Sequence, residues 1–286
     1  MNIDKQQARL AFARAARDYD AAAVLQREVG NRLLERLDYI HHTPTTILDV
    51  GAGTGYCTAL LQKKYPKARL LALDIAQPML VYARQKSTLW SRLRNKIDYL
   101  CADAEVLPLA DNSVDMVFSN LTLQWVNQLE QTLREVARVL RPGGMLLFSS
   151  FGPDTLNELQ QAWQAADAYT HVNAFIDLHD VGDAMLRARL AEPVMDAERF
   201  TLTYADVYKL MRELKAIGAH NVTLQRARGL TGKTVFKRVE QAYEQFRQDG
   251  VLPASYEVVY GHAWAPLVQE QGVVAITLDQ IQKPSK

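Results

Sequence analysis

Asp49, Gly51, Gly53 and Gly55 stand in the run Ile47-Leu48-Asp49-Val50-Gly51-Ala52-Gly53-Thr54-Gly55. A short apolar segment of strand type runs into a glycine-rich turn that opens a helix. Glycines there let a backbone approach a ligand closely and take angles that a Cβ forbids. The dinucleotide fingerprint G-x-G-x-x-G uses the same device to hold a pyrophosphate. Here the spacing is G-x-G-x-G, with a carboxylate two positions before the first glycine. A nicotinamide cofactor gains nothing from an acid at that place. Adenosylmethionine does: it has no phosphate, and its amino-acid end carries an ammonium for Asp49 and a carboxylate for the loop amides. The plainer alternative is a tight strand–helix turn without a ligand, because short motifs recur by chance.

Three further strand ends favour a ligand. Asp74 closes the second predicted strand, where a carboxylate can accept both ribose hydroxyls. Such charge-assisted bonds are worth roughly 1.5–3 kcal/mol each. Cys101-Ala102-Asp103-Ala104 closes the third, where an acid meets an adenine amino group, and Ser119-Asn120 closes the fourth at the edge of the same crevice. One such carboxylate alone reads as a solvated strand end. Four successive strand ends in order, three with an acid and the fourth with Asn120, describe a nucleoside cleft, so Asp49, Gly51, Gly53, Gly55, Asp74, Asp103, Ala104 and Asn120 are the candidate cofactor residues.

The elements that must position them follow from periodicity. Strands are expected at Thr46–Val50, Arg69–Asp74, Ile97–Cys101, Val114–Ser119, Met145–Phe151, Arg199–Thr203 and Ser255–His262. Helices are expected around Leu60–Tyr65, Pro78–Gln85, Glu130–Leu140, Leu156–Ala166, Val181–Leu190, Ala205–Ile217 and Val235–Arg247. A stripe of Leu25, Val29, Leu33, Leu34 and Leu37 predicts a further amphipathic helix near the N-terminus. The alternation implies an α/β fold: a mostly parallel seven-stranded sheet, Rossmann-like, with helices on both faces. Residues 1–42 are expected to form an N-terminal helical cap, 43–204 and 250–286 the nucleotide-binding core, and 205–249 a helical lid inserted between the last two strands.

Bulk properties restrict the function. The 286 residues are 48% hydrophobic with a net charge of +1, so an electrostatic partner must be met by a local patch. Neither nucleic acid nor membrane is implied: there is no chain-wide basic surface, no apolar stretch approaches the ~20 residues needed to span a bilayer, and no signal peptide is visible. A cytoplasmic protein is expected. Cys57 and Cys101 sit in apolar runs and are expected to be small buried residues, with no zinc spacing around them.

Arg138-Val139-Leu140-Arg141-Pro142-Gly143-Gly144 matches the turn before the fifth strand in class I methyltransferases, and from Thr46 to Phe151 the chain resembles that superfamily. The resemblance implies S-adenosylmethionine as cofactor. The turn after the fourth strand, Ser119-Asn120-Leu121-Thr122-Leu123-Gln124-Trp125, lacks the Asn/Asp-Pro-Pro-aromatic pattern that goes with methylation of base amines. No metal cluster suggests a catechol. A carboxylate acceptor fits these absences, because it is ionised at neutral pH and needs no general base. It does need a donor or cation to hold it and a dry site. Tyr19, Arg212 and Lys215 are the candidates to hold and enclose it, and Arg14, Trp125, His220 and Asn221 the candidate acceptor contacts.

Several segments are also similar to the malonyl-[acyl-carrier protein] O-methyltransferase family of biotin synthesis. They are Phe12–Asp20, Ser119–Trp125, Met211–Ala219, Gly229–Gly232 and Tyr256–Trp264, and they span nearly the whole chain. The resemblance implies methylation of the free carboxyl of a malonyl thioester carried by acyl-carrier protein or coenzyme A, in a protein expected to be a monomer. Acyl-carrier protein is acidic, and Val222–Arg238 holds Arg226, Arg228, Lys233, Lys237 and Arg238 with no acid, the expected docking patch. Two rival functions remain: methylation of a small free carboxylic acid, and an assembly role of the kind played by relatives that help build respiratory complex I. The intact Asp49 loop and Asp74 favour an enzyme.

Overall fold

In the computed structural model, which describes residues 3–86, 97–219, 221–223 and 231–267, the alternating apolar runs become strands of one sheet. They are β1 (Thr46–Val50), β2 (Arg69–Asp74), β3 (Ile97–Cys101), β4 (Val114–Ser119), β5 (Leu140–Phe151), β6 (Ala191–Tyr204) and β7 (Leu252–Trp264). The order is β3-β2-β1-β4-β5-β7-β6. The pairings from β3 to β5 are parallel, and β7 is antiparallel to both β5 and β6. The chain reverses at β1, so the C-terminal ends of β1, β2, β3 and β4 open on one crevice.

Side chains alternate strictly between the two faces. Ile47, Leu70, Met116, Phe118, Met145 and Leu147 belong to one apolar core, which also takes the Leu25, Val29, Leu33, Leu34 and Leu37 stripe of the N-terminal region. Leu48, Leu71, Leu73, Val117, Leu146 and Phe148 belong to the other. A sheet buried on both faces needs helices on both, which is why its strands read as continuous apolar runs.

The helices are α1 (Lys5–Ala15), α2 (Tyr19–Ala22), α3 (Val24–Arg36), α4 (Tyr56–Lys64), α5 (Gln77–Lys86), α6 (Leu129–Val139), α7 (Asn157–Ala166), α8 (Leu178–Arg187), α9 (Val207–Ala216) and α10 (Lys233–Glu244). The last two lie between β6 and β7, and α10 packs on α7. The N-terminal strand-like bridge pairs Ile3 with Thr223, and Asn127 closes on the backbone of Ile3 through both its oxygen and its nitrogen. The first residues described are thereby tied to the segment between α9 and α10. None of the helices described is long and apolar enough to cross a membrane.

Three local expectations change. β5 starts at Leu140, before the Arg-Pro-Gly-Gly turn rather than after it, because its pairing with β4 shifts register between Val114 and Met116 and lets the turn stay in the ladder. β6 runs for 14 residues where a short strand was expected. It is an edge strand with charge on both faces, Asp196 and Glu198 on the side that meets Arg32 and Arg36 and Arg199 on the other, and that polarity hides its period from the sequence. Cys101 is exposed rather than buried, because it ends the edge strand β3, while Cys57 is buried as expected.

Candidate active site

Between β1 and α4 the glycine loop takes φ of +75° at Gly51, +54° at Gly53 and +83° at Gly55. At Gly51 a Cβ would also overlap the side chain of Thr122 on the turn after β4. Gly53 meets nothing nearer than the Gly51 carbonyl at 4.0 Å, so its face of the loop is left open. The amides of Gly51 and Ala52 both donate to Leu73 O (2.8 and 2.9 Å), and Gly53 N donates to Asp74 Oδ2 (2.9 Å). These three amides are therefore spent on β2, where a ligand carboxylate was expected to meet them.

Asp49 and Asp74 are 1% and 8% exposed. Asp49 accepts a bond from the Thr58 hydroxyl (2.6 Å), and Asp74 also accepts from Ala76 N (2.7 Å). Burial pushes Asp49 from 3.8 up to about 7; the Thr58 bond opposes that rise and the charge of Asp74 adds to it. Burial likewise raises Asp74 to about 6 against its two backbone bonds. Neither forms an ion pair among the described residues. Two buried acids without a cation form a receptor for one.

Asn120 ties this cleft together. Its amide nitrogen donates to Gln26 O on α3 (2.9 Å) and its oxygen accepts from the Ser149 hydroxyl on β5 (2.8 Å). Gln26, Arg27, Asp49, Thr54 and Asn120 face one another around the cleft. At the β3 end, Asp103 lines a second hollow of about 410 Å³ with Ile75, Ala102 and Cys101, closed on its far side by Lys5 and Arg9 of α1. Lys5 reaches Asp103 (2.6 Å) and Glu105 (2.7 Å). Ala104 is buried in the core just behind.

The N-terminal helices supply residues that the sequence left unassigned. Asp20 accepts bonds from the Thr54 hydroxyl and from Lys86, and its carbonyl accepts from Arg27. Burial pushes the Asp20 carboxyl up, but the Lys86 and Thr54 bonds outweigh it and hold it below the usual range. α2 is thus clamped to the glycine loop, which places Tyr19 at the mouth of the cleft. Burial, with the charges of Asp74, Cys57 and Asp20 behind it, pushes the Tyr19 phenol well up, so the group stays a neutral donor. The only sequence sign of this clamp was Asp20 itself, an acid beside Tyr19.

Next to the cleft lies a cavity of about 420 Å³ that shares Tyr19 and Gln26 with it. Its walls come from Phe12 of α1, Phe151 and Tyr256 of the sheet, Trp163 of α7, Leu214 of α9 and Phe236 of α10. Trp125 also lines it, fixed edge-on to Phe12 at 5.1 Å. Lys215 reaches the cavity, and it is the one Lys or Arg among the described lining residues. Arg212, three residues earlier, instead donates to Tyr208 O (3.2 Å) on its own helix and does not line the cavity. Arg14 is exposed and does not line it either. Asn221 does, with its side chain bonded to Thr170 O and to Thr223. Asn173, from the loop after α7, places a buried amide oxygen here with no partner among the described residues. Nothing in its sequence context marked it. Of the basic run, Lys233, Lys237 and Arg238 are exposed on α10, while His220, Arg226 and Arg228 lie outside the described residues.

A glycine loop at the reversal point of a 3-2-1-4-5-7-6 sheet, with acids closing β1 and β2, defines a Rossmann-like class I methyltransferase fold. Residues 48–148 match the methyltransferase domain family. The fold is shared with a SAM-dependent methyltransferase from Thermotoga maritima (17% identity, TM-score 0.52, 90% of this chain and 99% of that one) and with the YcgJ protein of Bacillus subtilis (16%, TM-score 0.55, 82% and 97%). Much nearer in sequence are the malonyl-[acyl-carrier protein] O-methyltransferases of Laribacter hongkongensis, 54% identical over 92% of this chain and 90% of that protein, and of Gallionella capsiferriformans, 52% identical over 96% of each. The chain belongs to the malonyl-[acyl-carrier protein] O-methyltransferase family.

Proposed function

We propose that this chain transfers a methyl group from S-adenosylmethionine to the free carboxylate of malonyl-acyl-carrier protein, an early step of biotin synthesis. The observation that carries the proposal is the apolar cavity of about 420 Å³ meeting the cleft of Asp49 and the glycine loop at Tyr19 and Gln26. When bound, S-adenosylmethionine supplies an electrophilic methyl group on a sulfonium. Asp49 faces the cleft, where an ammonium relieves its burial, Asp74 accepts from Gly53 N and Ala76 N and keeps lone pairs for ribose hydroxyls, and Asp103 with Ile75 and Ala102 frames the hollow of about 410 Å³ that takes the adenine. Arg27 faces the same cleft and takes the part of carboxylate partner that the loop amides cannot.

On the acceptor side no group has to remove a proton, since the acid is ionised at neutral pH. Apolar walls favour a reaction in which opposite charges neutralise, and alignment in such a site contributes roughly 7–11 kcal/mol. Among the described residues Lys215 is the cation within reach of the cavity, and Tyr19 is the donor at its junction with the cleft. Residues 205–249 act as a lid, and the basic face of α10 meets the acidic carrier. The test is methyl transfer from labelled cofactor to malonyl-acyl-carrier protein, malonyl-CoA and free malonate side by side. Transfer to the carrier-bound group well above free malonate is the expected result. Labelling of free malonate alone overturns the carrier assignment, and binding of cofactor with no transfer to any of the three leaves an assembly role.

A further inference from the structure

A further hollow, of about 330 Å³, lies outside the acceptor cavity and shares Trp163, His171 and Val172 with it. Its remaining lining comes from Gln160 and Gln164 of α7 and from the loop after that helix, including Ala168 and Tyr169. Gln164, Ala168 and Tyr169 are exposed, so the hollow opens at the surface. The wall between the two spaces is an aromatic pair: His171 stacks on Trp163 with ring centroids 3.6 Å apart and planes 12° from parallel. Asp167 holds the imidazole by Nε2 at 2.9 and 3.0 Å, which fixes the ring in the plane of the stack. On the rim, Arg238 of α10 donates to Ala166 O (3.1 Å), the residue immediately before Asp167. The basic helix therefore ends up against the mouth of the groove.

Resting on the acceptor assignment above, we propose that this groove receives the phosphopantetheine-type arm that carries the acyl group, and that the His171–Trp163 stack is the inner wall the arm passes. An arm of this class is an extended, amide-bearing chain ending in a thioester. Side-chain amides at Gln160 and Gln164 match its polar middle, and the apolar cavity beyond matches a thioester whose carboxyl end must reach Tyr19. Lys233, Lys237 and Arg238 stand where an acidic carrier would rest with its arm directed inward.

The test fills the groove from its exposed wall with Ala168→Trp, and separately with Gln164→Trp so that the result does not depend on one substitution folding well. Three malonyl thioesters are compared: carrier-bound malonyl and malonyl-CoA, which have the full arm, and malonyl-N-acetylcysteamine, which has only its end. The expected result is a fall of about tenfold or more in kcat/KM for the two full-arm substrates. The short thioester should stay within about twofold, and cofactor affinity by calorimetry should be unchanged. Equal slowing of all three, or of none, overturns the route. If the unsubstituted protein methylates no thioester at all, the acceptor assignment itself has failed, and that result is separable because it appears before any substitution is made.

Discussion

Buried carboxylates without a counter-cation sit poorly in a ligand-free protein, and Asp49 and Asp74 have none among the described residues. Burial raises them to about 7 and about 6. The unfolded chain gives up these protons at lower pH than the folded one, so their contribution to stability falls as pH rises from 3.8 towards about 7. A bound ammonium favours the ionised form and reverses the sign. Cofactor affinity should therefore rise with pH, by up to about tenfold per unit below pH 7, and level off above it. Calorimetry in buffers of different ionisation enthalpy should show proton release on binding near pH 6.5. Binding that is independent of pH between 5.5 and 8 would remove Asp49 as the ammonium partner. Asp74→Ala should weaken the cofactor by at least about 1.5 kcal/mol, partly through ribose contacts and partly because Gly53 N loses its acceptor. An unchanged Kd would exclude it as the ribose ligand.

At the level of elements, the crevice works because three short pieces of backbone are locked against one another. The glycine loop touches the turn after β4 at Gly51, where positive φ and Thr122 leave no room for a Cβ. Gly51→Ala should cost more than about 1 kcal/mol of stability and weaken cofactor binding as well, seen as linked falls in Tm and affinity. The base of β1 is held far from the site. Asp115 accepts from the Thr45 hydroxyl (2.6 Å), Arg141 Nη1 (2.7 Å), Thr45 N (2.9 Å) and Thr46 N (2.8 Å). Burial opposes its ionisation, but these bonds prevail and hold the carboxyl at about 2. Asp115→Ala should cost roughly 1–2 kcal/mol in denaturant unfolding, discounted for its partial exposure, and leave cofactor affinity unchanged. A matching loss of affinity would show that the two ends of the sheet are coupled.

For the whole molecule, a net charge of +1 hides an uneven distribution. Lys233, Lys237 and Arg238 form an exposed basic face on α10, while Arg32 and Arg36 are consumed by Asp196 and Glu198 on β6. Only unpaired charges steer a partner. Lys233→Glu with Lys237→Glu should slow turnover of the carrier-bound acceptor and spare malonyl-CoA, with the gap shrinking as salt rises. Equal slowing on both acceptors would place the defect inside the site.

The sequence by itself determined the sheet, its buried faces and the acids that close its strands beside the glycine loop. Those depend on short-range patterns: a two-residue period in strands, a helical stripe at Leu25–Leu37, and acids that close strands next to glycines. It left the acceptor side open for a physical reason. Arg212 and Lys215 share a helical spacing, yet only Lys215 reaches the cavity, because Arg212 folds back on Tyr208. Asn173, His171 and Trp163 come from a helix and the irregular loop after it, and carry no spacing that announces their meeting with Tyr19. Asp20 reaches Thr54 across 34 residues and Lys86 across 66. A cavity is a property of surfaces that face each other. Only tertiary packing decided which side chains turn inward to line it.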